Sequence, residues 1–330
     1  MKARFPIQIR GTGSYVPERV IDNQHFAGYL DTSDEWIVTR TGIRERRWAA
    51  PDQCTSTLAT NAARAALDNA GMTIKDIDLI MVATATGDCP FPATAAFVQG
   101  ALGGGDIPAF DIGAACAGFL FALETAAGLI TAGRYNNVLV IGAETLSRFC
   151  DREERGTAIL FGDAAGAAIL GPAEHDEQGI LHCESGCDGT KNEHIWLPAG
   201  GSRMPASETT VAERLHYMHM QGREVFKYAV KKMGELIDRA MTATDITAAE
   251  LKLLIPHQSN LRIIESFRER IGLPHEKVAT NIQRFGNTSA ASVAMCLDEA
   301  RRNGKLQPGD HAMLLAIGAG LTWSIQVWRL

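Results

Sequence analysis

The chain has 330 residues, 46% of them hydrophobic and 21% charged, with a formal net charge of −6. That length suits two domains or one large duplicated one, and the balance excludes disorder and low-complexity structure. The acidic excess argues against a nucleic-acid binder, which presents a basic stripe to phosphates.

Charges and a proline interrupt Met1–Arg10 before any apolar stretch of signal-peptide length. No segment approaches the roughly 20 apolar residues of a membrane span. A cytoplasmic protein with no membrane association is expected. The seven cysteines, at 54, 89, 116, 150, 183, 187 and 296, are an odd number without metal-ligand spacing, so reduced thiols and no metal are expected.

In chain order, periodicity predicts a helix over 55–69, a buried strand over 79–84, a short strand over 109–112 and a very apolar helix over 117–131. A buried strand over 137–142 and a small-residue strand over 162–170 follow. The second half repeats the order, with a helix at 224–241, a strand at 251–255, helices at 261–270 and 289–303, and strands at 312–317 and 322–328. Alternating strands and helices indicate an α/β fold. Residues 79–86 correspond to 251–259, and 113–141 to 286–317. Two duplicated halves are therefore expected, 1–173 and 174–330, related by a pseudo-twofold axis. The Gly-, His- and polar-rich stretch 174–223 is expected to connect them and to cover a pocket with loops.

Three segments carry chemistry. In Phe110-Asp111-Ile112-Gly113-Ala114-Ala115-Cys116-Ala117-Gly118-Phe119, a strand runs into small residues and a cysteine at a helix start, where the helix dipole favours a thiolate. In Leu253-Leu254-Ile255-Pro256-His257-Gln258-Ser259-Asn260, a buried strand delivers a histidine at its C-terminal end, where α/β sheets build their sites. In Phe285-Gly286-Asn287-Thr288-Ser289-Ala290-Ala291-Ser292, Asn287 offers neutral N–H donors, although it would also serve as a helix N-cap.

Each residue alone has an ordinary structural explanation; the combination points to carbon–carbon bond formation from thioesters. Cys116 takes an acyl group, and His257 and Asn287 stabilise the enolate left when a malonyl thioester loses carbon dioxide. Backbone N–H groups of Cys116 and the Gly318-Ala319-Gly320 turn are candidates for a second oxyanion hole.

The whole chain resembles the β-ketoacyl-acyl carrier protein synthase III family. The resemblance rests on Gly11-Thr12-Gly13-Ser14-Tyr15-Val16-Pro17, the run from Asp34 to Ile43, the Cys116, His257 and Asn287 segments, Arg155-Gly156-Thr157 and Phe161-Gly162-Asp163-Ala164-Ala165-Gly166-Ala167. It implies a thiolase-like five-layer αβαβα fold and a homodimer. It also implies acyl-CoA as primer and malonyl-acyl carrier protein as extender, with no cofactor because acyl-CoA is a substrate.

Carried over by position, Trp36 and Arg155 would sandwich the CoA adenine, with Thr32 and Arg40 nearby and Asn260 along the pantetheine tunnel. Leu146 and Phe161 would wall the acyl pocket, into which Phe91 of a partner subunit would reach. Lys227, Arg262 and Arg268, with Arg223 and Arg270, would face the acidic carrier protein. One departure is Ala319 within a turn that is usually all glycine; a positive φ there would cost of order 1 kcal/mol.

Two other functions share the same residues. One is an acyltransferase that moves the acyl group to an alcohol or amine. The other is a thiol hydrolase of the papain-like Cys-His-Asn order, against which the alanine flanks of Cys116 argue.

Overall fold

Strands whose residues are apolar without alternation must be covered on both faces, whereas helices apolar on one side need cover on only one. That requirement sets the layers. The structure is a computed structural model and describes residues 4–330.

β1 (Ile7–Tyr15) opens the chain, and the ribbon of β2 (Arg19–Asp22) and β3 (Glu45–Trp48) encloses α1 (Asn23–Ala27) and α2 (Asp34–Thr41). Then come α3 (Thr55–Ala70), β4 (Leu79–Ala83), α4 (Thr94–Leu102), β5 (Ala109–Ile112), α5 (Gly118–Thr131), β6 (Val138–Glu144), α6 (Arg155–Ala158) and β7 (Ala164–Pro172). The rest comprises β8 (Gly179–Cys187), β9 (Ile195–Trp196), α7 (Glu208–Ala212), β10 (His219–Met220), α8 (Gly222–Thr244) and β11 (Leu251–Pro256). It ends with α9 (Leu261–Ile271), α10 (Ile282–Phe285), α11 (Ala291–Arg302), β12 (His311–Gly318) and β13 (Thr322–Arg329).

The two large sheets are ordered β1-β7-β6-β4-β5 and β11-β12-β13-β8. Pairing from β4 through β6 and β7 to β1 runs parallel, antiparallel, antiparallel; from β11 through β12 and β13 to β8 it runs the same way. β5 lies parallel to β4, and its counterpart in the second half is reduced to a single parallel bridge between Leu254 and Val278. The duplication expected from sequence is therefore a repeated pairing order.

Between the sheets lie α5 and α11. α5 is apolar nearly all round and packs on β4, β6 and β7 on one side and on β12 and β13 on the other. The core around it joins Leu79, Val140 and Phe119 to Leu253, Ile255, Leu297 and Leu314. α3 covers the outer face of the first sheet. α8, with Ala229, Met233, Leu236, Ile237 and Ala240 buried at helical spacing, covers the second together with α9. Five layers result, as the resemblance implied.

The expected elements recur within a few residues, with two corrections. The 174–223 stretch, expected as connecting loops, contributes β8 to the second sheet because Ile180, Leu181 and Cys183 are buried there. The helix expected from Ser289 begins at Ala291, since Ser289 has φ +48 and forms the turn before it.

Candidate active site

Cys116 follows β5 in one turn of tight helix, Ala115–Ala117, entered through Ala115 at φ +46, and α5 starts immediately after. Burial pushes its thiol up to about 12, a Ser289 hydrogen bond works in the opposite direction, and the charge of Glu144 pushes it up further. Desolvation therefore opposes the thiolate that the helix start favours.

His257 stands where β11 stops. Its N–H donates to Leu315 O (2.7 Å), and the adjacent Gln258, fully buried, brackets the strand end by donating to Pro256 O and Ala279 O and accepting from Asn281 N and Ile282 N. Burial lowers the imidazole to about 3, so it is neutral at physiological pH and acts by hydrogen bonding rather than charge. Its Nδ1 pairs with Ser292 Oγ at 2.7 Å, and that hydroxyl also lies 2.8 Å from Ser289 O. With one proton and two acceptors in reach, Ser292 sets the tautomer.

Asn287 is held by its backbone. Its N–H donates to Leu160 O (2.8 Å), its carbonyl accepts from Gly162 N (3.0 Å), and it bridges in parallel to Phe161. Gly286, at φ +65, permits this: a Cβ there would lie 2.7 Å from Leu160 O. Asn287 Oδ1 accepts from Ser289 N (2.9 Å), leaving Nδ2 as the free donor. The N-cap of α11 is Ala290, so Asn287 does not cap the helix.

The β12–β13 hairpin lies against the cysteine turn. A Cβ on Gly318 would come within 2.6 Å of Cys116 N, and Thr322 Oγ1 donates to Ala114 O (2.9 Å). Ala319 lines the cavity and is not among the residues of positive φ; Gly320, at +133, takes that conformation. The alanine therefore carries none of the strain its place in the turn suggested.

Cys116, His257 and Asn287 all line one cavity of about 780 Å3, as do Leu146, Phe161, Trp36, Arg40, Asn260, Arg262 and Lys227. Family models described as 3-oxoacyl-[acyl-carrier-protein] synthase III and its C-terminal part match residues 110–189 and 241–330. The β-ketoacyl-[acyl-carrier-protein] synthase III of Caldanaerobacter subterraneus subsp. tengcongensis is 50% identical over 319 residues, 97% of this chain and 96% of its own length. The same-named protein of Symbiobacterium thermophilum is 49% identical over 329 residues, covering 100% of this chain and 99% of its own.

The chain belongs to the 3-oxoacyl-[acyl-carrier-protein] synthase III family. The solved 3-oxoacyl-[acyl-carrier-protein] synthase III of Aquifex aeolicus VF5 matches at TM-score 0.90 and 42% identity over 98% of this chain and 100% of that one.

Other residues suggested by the family resemblance fall into two groups. Trp36 lies at the cavity with the Arg155 guanidinium 4.5 Å over its ring and that of Arg40 at 5.4 Å. A ring held between two partners needs about 7 Å, twice an ordinary carbon contact, so Trp36 and Arg155 as they stand leave no room for one between them. Arg155 also donates to Asp31 O (2.5 Å). Beside it, Thr32 Oγ1 is buried with no hydrogen-bond partner. Asn260 spends its side chain capping α9 through Arg262 N (2.9 Å) and donating to Arg40 O (3.0 Å), which ties α9 to α2 at the cavity wall.

Leu146 and Phe161 are buried and pack with Cys150 and Met218. Phe91, by contrast, is 85% exposed and outside the cavity. Arg268 is committed to Glu265 (2.6 Å) and Leu273 O (2.9 Å), and Arg270 to Asp238. Arg223, Lys227 and Arg262 line the cavity wall, where Lys227 pairs with Glu224 (3.0 Å).

Sequence reasoning missed Glu144. It ends β6 wholly buried, with Oε2 2.5 Å from Thr86 Oγ1, both oxygens 3.2 Å from Ala85 N, and Oε1 3.0 Å from Ser289 Oγ. Burial lifts its carboxyl to about 7 against those hydrogen bonds. Only the strand's completely buried pattern could have flagged it. Ile195–Leu197, Met218 and Met220 also line the cavity, placed there by the short β9–β10 pair.

Proposed function

We propose that the protein condenses a short acyl-CoA with malonyl-acyl carrier protein, releasing CoA and carbon dioxide and yielding the β-ketoacyl-acyl carrier protein that initiates fatty-acid synthesis. The observation that carries this reading is the convergence of a thiol, a neutral imidazole and an oriented carboxamide on one apolar-walled cavity.

Cys116 accepts the acyl group. The cavity next to it, walled by Leu146 and Phe161, takes the acyl chain, and Cys116 N and Ala319 N face the oxyanion formed at the thiol. CoA then leaves and the malonyl thioester enters. His257 Nε2 and Asn287 Nδ2 donate to its thioester oxygen as carbon dioxide departs, and the enolate carbon attacks the acyl-cysteine. The His257 donor requires Nε2–H, so the Ser292 hydroxyl must turn its proton from Ser289 O to Nδ1. No cofactor enters these steps.

Thr32, with its unpartnered buried hydroxyl, and Trp36, Arg40 and Arg155 at the cavity mouth suit the nucleotide of CoA. Asn260 lines the approach. Lys227 and Arg262 suit an acidic carrier protein, with Arg268 shaping the α9 end through Glu265. Exposed Phe91, Phe97 and Phe110 flank β5, an edge strand, and support a homodimer that covers them. The sheets support halves dividing at about 173 and 174, between β7 and β8. We place the enzyme in the cytoplasm; among the described residues, no helix is long and apolar enough to cross a membrane.

The test is carbon dioxide release from malonyl-acyl carrier protein in the presence of acetyl-CoA. Condensation gives one carbon dioxide for each CoA released. An enzyme transferring the acyl group to an alcohol or amine would release CoA alone, and that outcome would reject the proposal.

A further inference from the structure

A buried carboxylate normally finds a cation or is neutralised. Glu144 has only neutral partners: Thr84 and Thr86 and the Ala85 amide from the end of β4, and Ser289 from the turn before α11. The start of α3 adds Thr55, bonded to Thr86 O and to Thr145 Oγ1, also neutral. The start of α5 brings a titratable group, Cys116, whose thiol carries the Ser289 hydrogen bond and senses the Glu144 charge. Ser289 Oγ donates to Glu144 Oε1, so its lone pairs are free for the S–H. Contacts thus run from Cys116 to Ser289, which share the cavity wall, and from Ser289 to Glu144.

We propose that Ser289 and Glu144 form the path by which the Cys116 thiol gives up its proton for acyl transfer. Ser289 is the catalytic hydroxyl in contact with sulfur, and Glu144 is the positioning acceptor behind it. The inference rests on the condensing reaction proposed above. In the step, the S–H bond breaks and its proton moves to Ser289 Oγ as the serine proton moves to Glu144 Oε1. The thiolate adds to the thioester carbonyl and the C–S bond to CoA breaks. The departing CoA thiolate recovers the proton by the reverse path, leaving acyl-Cys116, CoASH and the Glu144 carboxylate.

His257 serves this step less well. Its Nδ1 is held by Ser292, and burial lowers it to about 3, whereas Glu144 is raised to about 7. Separate acceptors also leave the imidazole free for the extender.

The experiment is single-turnover acylation by acetyl-CoA across pH 5.5 to 9, followed by intact-protein mass spectrometry, on wild type, E144Q and S289A. Thermal melts report folding. Wild-type acylation rises with pH to an inflection near 7. E144Q and S289A lose that inflection and slow by roughly 100-fold or more, the usual contribution of a positioned base. The KM for acetyl-CoA is unchanged.

A folded E144Q with wild-type rate and inflection overturns the inference. If E144Q does not fold, S289A decides alone: loss of the inflection supports the path, and its retention rejects it even at a lowered rate. A wild type that acetyl-CoA does not acylate fails the condensing reading itself, whereas normal wild-type acylation with unaffected variants fails only the proton path.

Discussion

In the first half of the molecule, β4 runs into Thr84–Thr86 and β6 ends in Glu144, so its polar strand ends turn inward and solvate a carboxylate beneath the thiol. In the second half the equivalent strands, β11 and β12, run into His257 and Ala319, which line the cavity. Each half also starts its central helix from a turn containing a non-glycine residue of positive φ, Ala115 at +46 and Ser289 at +48. One frame thus places Cys116 at one helix start and Asn287 in the turn before the other. What distinguishes the halves is whether the polar atoms point below the site or into it.

This contrast can be broken by experiment. Cys116→Ser is expected to abolish acyl-enzyme formation while CoA still binds, measured by mass spectrometry and calorimetry; a normally acylated variant would sink the assignment. Asn287→Ala is expected to leave acylation intact and to slow carbon dioxide release by roughly 100- to 1000-fold, the cost of one oxyanion donor. Equal loss of both steps would mean that the halves do not divide the chemistry.

Ser292→Ala leaves the His257 tautomer unset. Condensation is expected to fall by roughly 10- to 100-fold, the scale of losing an outer bond that orients a functional histidine, with acylation unchanged. An unchanged condensation rate would show that Ser292 does not choose the tautomer.

His257 also gives the second half a pH signature in stability. Its folded value, about 3, lies below the ordinary imidazole value of 6.5, so its contribution is complete above 6.5 and is lost as pH falls through 3. Across that interval, wild type should lose about 1.4 kcal/mol per pH unit more than His257→Gln in denaturant titrations. Parallel curves would place the imidazole in contact with water.

The smallest effect concerns the cavity mouth. On the proposal that the CoA adenine takes the Arg155 place over Trp36, Arg155→Ala exchanges one stacking for another. The KM for acetyl-CoA is expected to change by less than about fivefold, the size of an exposed cation–π contact.

Much of this was legible in the chain. The unbroken apolar runs at 79–83 and 138–142 betrayed strands covered on both faces, and the three chemical segments stood at strand ends and helix starts, where α/β folds build their sites. Orientation was not legible. Arg46 sits among Arg44, Glu45 and Arg47, a stretch that reads as a solvated ribbon. Yet the two-residue alternation of β3 turns it wholly inward, where it donates to Ile21 O, Asn23 Oδ1 and Ile159 O. Glu144 is concealed in the same way, because a carboxylate at a strand end looks like a loop residue until the opposite half is seen to cover it. Contacts between residues 145 positions apart, such as Ser289 with Glu144, have no local trace.

Ser289 and Ser292 are three residues apart at the start of α11, one bonded to Glu144 and the other to His257. A displacement of that single turn would move a hydroxyl under the thiol and another beside the imidazole at once. The two half-reactions proposed above therefore share one mechanical anchor.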